Sequence, residues 1–190
     1  MKFIRLLVFF ILAVIITVVA LSFFLPTSQK VERSVVINAA AADIYNQLIK
    51  LENFNKFSVW SQQDSSAVYT LTGTDGTVGA ATSWKGSTEI SGEGKIEIIS
   101  LETNKTVKHK LHFTKPKKGT AVSTFVLNQT NNNSTTVLWT FNMATPRPWN
   151  IFNLLYSLDE EMGKDFDDGL SALKALIEAN NKMIDTHTDQ

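Results

Sequence analysis

The chain has 190 residues, and its 18 basic and 18 acidic side chains give a formal net charge of zero. A domain that binds nucleic acid through the phosphates normally carries a basic excess, so nucleic acid is excluded as the default partner. Cysteine is absent, which excludes disulfides, thiolate metal sites and a cysteine nucleophile. About 160 residues remain after an apolar N-terminal segment, which suits a single domain with a substantial core.

The first predicted element is a transmembrane helix. Residues 6–25 carry no charge, and a helix of this length reaches about 30 Å, the thickness of the hydrocarbon core of a bilayer. A cleaved signal peptide is the alternative, because residues 20–22 have the small-x-small form of a cleavage site. Cleavage there would leave a mature protein that begins with Phe23 and Phe24, which is an unusual N-terminus, so we favour an uncleaved anchor.

The charges around this helix predict its orientation. Lys2 and Arg5 precede it, whereas the charges of Lys30, Glu32 and Arg33 nearly cancel after it, so the N-terminus is expected to be cytoplasmic. The chain is then a single-pass membrane protein whose domain lies on the periplasmic or extracytoplasmic side. The predicted organisation is a cytoplasmic tip and transmembrane helix over 1–25, a linker over 26–30, a folded domain over 31–180 and a flexible tail over 181–190.

Alternation of apolar residues predicts a strand over residues 31–37, followed by a helix capped by Asn38 that continues to Lys50. A second short helical piece is expected over 52–57. Six further alternating segments, separated by turn sequences, predict antiparallel strands joined by hairpins. They cover residues 67–71, 80–84, 90–100, 106–114, 121–127 and 135–143.

The last predicted element is a long amphipathic helix that begins near Leu158, after a capping box at Ser157 and Glu160 and a shorter helical turn over 149–156. Gly163 and Gly169 lie on or beside its apolar stripe, although glycine is unfavourable inside a helix. Something should therefore approach the helix closely. The cause is either packing against a sheet, which we favour, or room left for a ligand.

An antiparallel sheet of this length must cover one face, and the C-terminal helix is the large apolar partner available. The predicted fold class is therefore α+β, with a curved seven-stranded antiparallel sheet around a long C-terminal helix, preceded by one transmembrane helix. This order of elements resembles that of the SRPBCC superfamily, the START-like group with the helix-grip fold that includes polyketide cyclase/dehydrase-like proteins. The resemblance also rests on four sequence segments, residues 60–61, 76–86, 92–94 and 162–174.

The resemblance implies an apolar cavity between the sheet and the C-terminal helix. Members of this superfamily bind lipids, sterols, hormones or polyketides, some act on them, and others bind proteins, so the resemblance implies a fold and no single activity. Side chains expected to face such a cavity are mostly aromatic. They are Trp60, Tyr69, Trp84, His109, Phe113, Phe125, Trp139, Phe141, Phe152, Met162 and Phe166.

His109 is the candidate for acid–base chemistry, because strand alternation places it on the apolar face. A buried structural histidine is the more common role for a lone histidine in such a position. The three histidines suggest no metal site, and Gly76 to Gly79 lack the Lys-Ser/Thr ending of a phosphate-binding loop, so neither a metal nor a cofactor is predicted.

The favoured functional hypothesis is a membrane-anchored domain that binds a small hydrophobic or amphipathic ligand, for which a lipid is one candidate. The partners expected are thus the membrane and this apolar ligand, and no protein partner is identified. Two alternatives stay open. The first is a polyketide cyclase-like enzyme using His109, which we do not favour, and the second is a protein-interaction module whose cavity is filled by its own side chains.

Overall fold

The computed structural model describes residues 2–131 and 133–188, with side chains described as far as residue 181. Helices and strands follow one another in an order close to the predicted one. They are α1 (Lys2–Ser22), β1 (Ser28–Ile37), α2 (Ala41–Leu48), α3 (Leu51–Phe57), α4 (Val59–Gln63), β2 (Val68–Thr72), β3 (Ala81–Lys85), β4 (Glu93–Glu102), β5 (Thr106–Lys115), β6 (Gly119–Asn131), β7 (Ser134–Ala144), a 3₁₀ helix (Trp149–Leu154) and α5 (Leu158–Thr188).

The strands form one antiparallel sheet in the order β1-β7-β6-β5-β4-β3-β2. Each of β2 to β7 pairs with its neighbour in sequence, as expected for strands joined by hairpins, and β1 pairs with β7 along its whole length. The predicted α+β architecture, with a seven-stranded antiparallel sheet and a long C-terminal helix, is confirmed.

The core lies between this sheet and α5. The apolar stripe of the helix buries Phe166, Leu170, Leu173 and Ile177 almost completely. The ring of Trp139 on β7 lies 4.2 Å from that of Phe166, measured between centroids. Burying one such side chain contributes roughly 1.5–3 kcal/mol, so a handful of them is enough to hold the helix on the sheet.

The two glycines of α5 are explained by packing, as favoured from the sequence. A Cβ at Gly169 would lie 3.2 Å from the indole of Trp139 and 3.3 Å from the carbonyl oxygen of Phe57. A Cβ at Gly163 would overlap the guanidinium of Arg33, which crosses the helix to bind a carboxylate of its first turn, Asp159, at 2.7 Å. Neither position leaves room for a ligand.

The prediction that Asn38 caps the second helix was wrong. Helix α2 begins at Ala41, after Ala40, and no side chain at its N-cap position makes a capping bond. The backbone N–H of Ala41 instead donates to Oε1 of Gln129 on β6, at 3.1 Å. The backbone N–H of Asn38 donates to Glu178 of α5 at 2.9 Å, so this turn is bound to the long helix.

Several element boundaries differ from the predicted ones. Strand β1 begins at Ser28 rather than at residue 31, because residues 28–30 pair with residues 142–144 of β7 and leave a shorter linker. Helix α4 was not predicted. Helix α5 continues to Thr188, past the expected domain boundary at residue 180, and residues 189 and 190 lie outside the described residues.

Candidate ligand cavity

A cavity of about 360 Å³ lies between the sheet, helices α3 and α4, and the first turns of α5. Strands β2 to β7 each contribute side chains to its wall, which is lined mainly by aromatic and aliphatic groups. Its volume falls in the range of small-molecule sites, roughly 300–1,000 Å³, and near the lower end of it.

Most of the side chains expected to face a cavity do line this one. Those that line it are Trp60, Tyr69, Trp84, Phe113, Trp139, Phe141, Met162 and Phe166. Three others do not reach its wall, namely His109, Phe125 and Phe152. Of these three, His109 and Phe125 are buried beneath the wall, and Phe152 lies on the surface.

His109 is fully buried on β5, packed edge-on against the rings of Phe54 at 6.0 Å and Phe125 at 6.1 Å. Neither ring nitrogen has a hydrogen-bond partner among the residues that the structure describes. Burial in these apolar surroundings lowers the pKa of His109 from 6.5 to about 4, so the imidazole is neutral at physiological pH. The ring of His109 does not line the cavity, so it does not contact a group held there.

Phe125 and Phe152 differ from expectation for different reasons. Phe125 is fully buried and stacks on Trp139 at 4.9 Å, so it supports the cavity wall from behind. Phe152 lies on the 3₁₀ helix between β7 and α5, and its side chain is 54% exposed. Its ring lies parallel to that of Trp149, at 6.2 Å, on the outer surface.

Polar groups in the cavity wall bind one another. The hydroxyl of Tyr69 donates to Ser61 at 2.9 Å, and the indole N–H of Trp139 donates to Ser123 at 2.8 Å. The indole N–H of Trp84 donates to the carbonyl oxygen of Ser91 at 2.9 Å. With these partners already made, the interior is suited to an apolar group, because a polar one would have to compete for them.

The cavity opens between two loops. The exposed lining residues belong to two segments. These are residues 88–90 between β3 and β4 and residues 115–117 at the β5–β6 hairpin. Charge is confined to this rim. Lys115 binds Glu93 at 2.9 Å, whereas Lys117 forms no ion pair within the described part of the chain.

The first of these loops is held by Asp64, a residue that sequence reasoning missed. Its carboxylate accepts hydrogen bonds from the backbone N–H of Ser87 at 2.8 Å, from the hydroxyl of Ser66 at 2.6 Å, and from the hydroxyl of Ser91. These bonds, first those from the hydroxyls of Ser66 and Ser91, lower the pKa of Asp64 from 3.8 to about 2. The side chain is almost completely buried, and it fixes one side of the opening.

The opening lies at the end of the sheet that joins α1. Register pairs Ser28, the first residue of β1, with Ala144 at the end of β7, and it pairs Met143 with Ala121 near the start of β6. The same end continues through the β5–β6 hairpin to the pair Glu93 and Lys115. The cavity therefore faces the side of the domain from which the N-terminal helix departs.

No family model matches this chain, and no curated protein is similar to it in sequence. Solved structures do match. Norcoclaurine synthase from Thalictrum flavum, in complex with dopamine and hydroxybenzaldehyde, superposes with a TM-score of 0.58 at 15% identity, over 80% of this chain and 87% of that one. Protein CV1439 from Chromobacterium violaceum superposes with a TM-score of 0.55 at 13% identity, over 79% of this chain and 97% of that one.

The chain has the helix-grip fold. At these identities the likeness shows the fold alone, and it agrees with the resemblance to the SRPBCC superfamily. The helix-grip domain also carries α1, which is long and apolar enough to cross a membrane by length and composition. Within the described residues, no group of three or more histidine or acidic side chains is placed to hold a metal ion.

Strand alternation also predicts that Leu111 and Met143 face inward, and both line the cavity. The two rim segments lie in turns, where strand periodicity says nothing about direction. Asp64 gave no signal, because its role depends on the β3–β4 loop folding back over it.

Proposed function

We propose that this chain is a membrane-tethered helix-grip protein that holds a small apolar or amphipathic molecule, such as a lipid, in the cavity between sheet and α5. One observation carries the proposal: a cavity of about 360 Å³, lined mainly by apolar groups, opens at the sheet end joined to α1. An open cavity favours ligand binding over a module filled by its own side chains.

The tether is the N-terminal helix. The 21 residues of α1 reach about 30 Å and are exposed along nearly their whole length, as expected for a helix whose surroundings are lipid. Lys2 and Arg5 before the apolar run support a cytoplasmic N-terminus, with the domain on the opposite side of the membrane. The short connection from Phe23 to Thr27 then keeps the cavity opening close to the bilayer.

The wall and the rim favour a ligand with an apolar body. An apolar body fits the interior, where the polar groups of Tyr69 and Trp84 are already paired. A polar head fits the rim, which carries the carboxylate of Glu89 and the ammonium group of Lys117. The dopamine and hydroxybenzaldehyde bound to norcoclaurine synthase support the capacity of this fold to hold small organic molecules.

The test uses the full chain in nanodiscs and an environment-sensitive apolar probe, anilinonaphthalene sulfonate. Leu111→Trp places a large ring in the cavity, whereas Leu71→Trp adds the same ring at a residue that is 45% exposed and does not line it. We expect saturable probe binding that Leu111→Trp abolishes and Leu71→Trp preserves. Mass spectrometry of organic extracts from the wild-type chain should also show a bound molecule that the Leu111→Trp chain lacks.

Two results would overturn the proposal. In one, the probe binds equally to both variants, which shows that binding does not use this cavity. In the other, the wild-type chain neither binds the probe nor yields an organic molecule on extraction. Circular dichroism and thermal unfolding of both variants separate these results from a failure to fold.

A further inference from the structure

A patch of exposed apolar side chains lies outside the core, between β7 and α5. It consists of five residues, three from the 3₁₀ helix and two that directly follow it, and we refer to it as the junction patch. Its members are Trp149, Phe152, Leu154, Leu155 and Tyr156, exposed by 62%, 54%, 66%, 87% and 45%. No other described part of the chain covers it, and large apolar patches of this kind mark a surface that is covered in use.

The junction patch is fixed to the end of α1 by buried polar contacts. Asn150, fully buried within the 3₁₀ helix, donates through Nδ2 to the carbonyl oxygens of Ser22 at 2.7 Å and Leu25 at 3.1 Å. Arg147 also donates to the carbonyl oxygen of Ser22, at 3.3 Å, and its guanidinium lies 5.1 Å from the ring centroid of Phe23. The patch and the end of α1 are therefore one structural unit.

This position decides which partner covers the patch. Helix α1 ends at Ser22, so the level of Ser22 is the level at which the helix leaves the hydrocarbon core. Phe23 and Phe24 are exposed at the same level, by 63% and 87%. Tryptophan and tyrosine beside aliphatic side chains, at the end of a spanning helix, are the composition of an interfacial aromatic belt.

We propose that the junction patch is a second membrane contact, inserted into the interfacial region of the leaflet from which α1 emerges. This inference rests on the proposed membrane span. The domain is then attached at two adjoining points, a helix through the bilayer and an apolar segment in its surface, so it cannot swing freely on its linker. The orientation that results holds the rim at residues 88–90 and 115–117 on the membrane side.

The absence of cysteine makes a direct test possible, because any introduced cysteine is the sole thiol of the chain. Nitroxide labels are attached to Leu155→Cys, to Val78→Cys and to Phe10→Cys in separate full-length chains, reconstituted in nanodiscs of phosphatidylcholine and phosphatidylglycerol. Val78 is the matched control, since it is 60% exposed and apolar but follows β2 at the opposite end of the sheet. Phe10 reports on the span itself, and a label at Leu154 repeats the measurement within the patch.

Power saturation with oxygen and with a water-soluble nickel chelate measures the exposure of each label to lipid and to water. We expect the oxygen-to-nickel accessibility ratio at residues 154 and 155 to exceed that at residue 78 several-fold. If residue 10 is embedded while residue 155 matches residue 78, the inference fails and the span stands. If residue 10 is also water-exposed, the proposed span fails. Labels at 154 and 155 accessible to neither reagent would show a protein partner or a second copy instead, and would also overturn the inference.

Discussion

At the scale of single residues, His109 has an unusual energetic position. It is fully buried, lacks hydrogen-bond partners among the described residues and is surrounded by aromatic rings. An unsatisfied buried polar group costs about 1–3 kcal/mol, so the residue does not stabilise the fold in the way that an apolar side chain of similar shape would.

Replacing His109 with phenylalanine should remove a pH dependence of stability. Because the pKa of His109 is about 4 in the folded chain and 6.5 when unfolded, the unfolded state binds the extra proton between these values. Wild-type stability is therefore complete above pH 6.5 and falls as the pH drops towards 4, by about 3 kcal/mol. His109→Phe should lose this decline and be no less stable at pH 7, as measured by denaturant unfolding across this range.

His112 provides the control, since it lies on the same strand and faces the opposite side of the sheet. His112→Phe should retain the decline of the wild-type chain. An unchanged pH dependence in His109→Phe would show that His109 is hydrated or partnered in solution. His109→Phe also tests the enzyme hypothesis, which requires that this substitution abolish any detected turnover.

At the scale of elements, the β3–β4 loop is ordered by a single carboxylate. Asp64, from the end of α4, accepts bonds from Ser87 and Ser91 across the loop, and a Cβ at Gly86 would overlap this carboxylate. The loop forms one side of the cavity opening, so the stability of these bonds governs how readily the opening widens.

Asp64→Asn should loosen this loop and speed ligand exchange. The amide nitrogen of asparagine cannot accept from the donors that the second carboxylate oxygen binds, so residues 86–91 should exchange amide hydrogens faster by hydrogen-exchange mass spectrometry. Because the pKa of Asp64 is about 2, its contribution is present above the unfolded pKa of 3.8 and is lost only as the pH falls through 2. The wild-type loop should therefore stay protected at pH 4.

Asp168→Asn is a suitable comparison, because that carboxylate binds Lys164 on the exposed surface of α5 and is remote from the loop. In the Asp168→Asn variant, residues 86–91 should exchange amide hydrogens at the wild-type rate. Equal exchange in both variants and the wild type would mean that the loop is held by its own backbone bonds, such as that from Gly92 to Ser87 at 2.7 Å.

The elements could be predicted from the sequence wherever one face is buried along a regular period. The stripe of α5 through Phe166 and Leu173, and the alternation of β7 through Trp139 and Phe141, report burial directly. Prediction was wrong where a distant partner replaces a local signal. Gln129 caps α2 from another strand, so the local asparagine at position 38 was misleading.

The candidate site was predictable to the same extent. Alternation and helical spacing give direction, so they indicate which residues on the strands and on α5 face inward, although two of these, His109 and Phe125, do not reach the cavity wall. Phe152 was placed wrongly, since a 3₁₀ turn of six residues has too few positions to show which face is buried. His109 faces inward as predicted, but whether an inward residue lines a void or lies behind another ring depends on packing in three dimensions, here on Phe54 and Phe125.

At the scale of the whole molecule, the cavity opening, the junction patch and the end of α1 lie on the same side of the domain. The pairing of β1 with β7 brings this about, because it places the start of the domain beside the segment that leads to α5. Under the proposed membrane tether, an amphipathic molecule that leaves the bilayer would meet the rim without crossing open water. This arrangement requires a rigid junction between α1 and the domain.

Asn150→Ala should release that junction. Its amide binds the carbonyl oxygens of Ser22 and Leu25 in a buried site. Removing it leaves the carbonyl oxygen of Leu25 unpaired, at a cost of about 1–3 kcal/mol, and leaves that of Ser22 only its bond from Arg147. With nitroxide labels at residues 10 and 78 of the full chain in nanodiscs, the interspin distance distribution measured by double electron–electron resonance should be narrow in the wild type and broad in the variant. Asn128→Ala, at an exposed position on β6, should keep the narrow distribution. A narrow distribution in Asn150→Ala would show that the junction patch and its membrane contact hold the domain without this side chain.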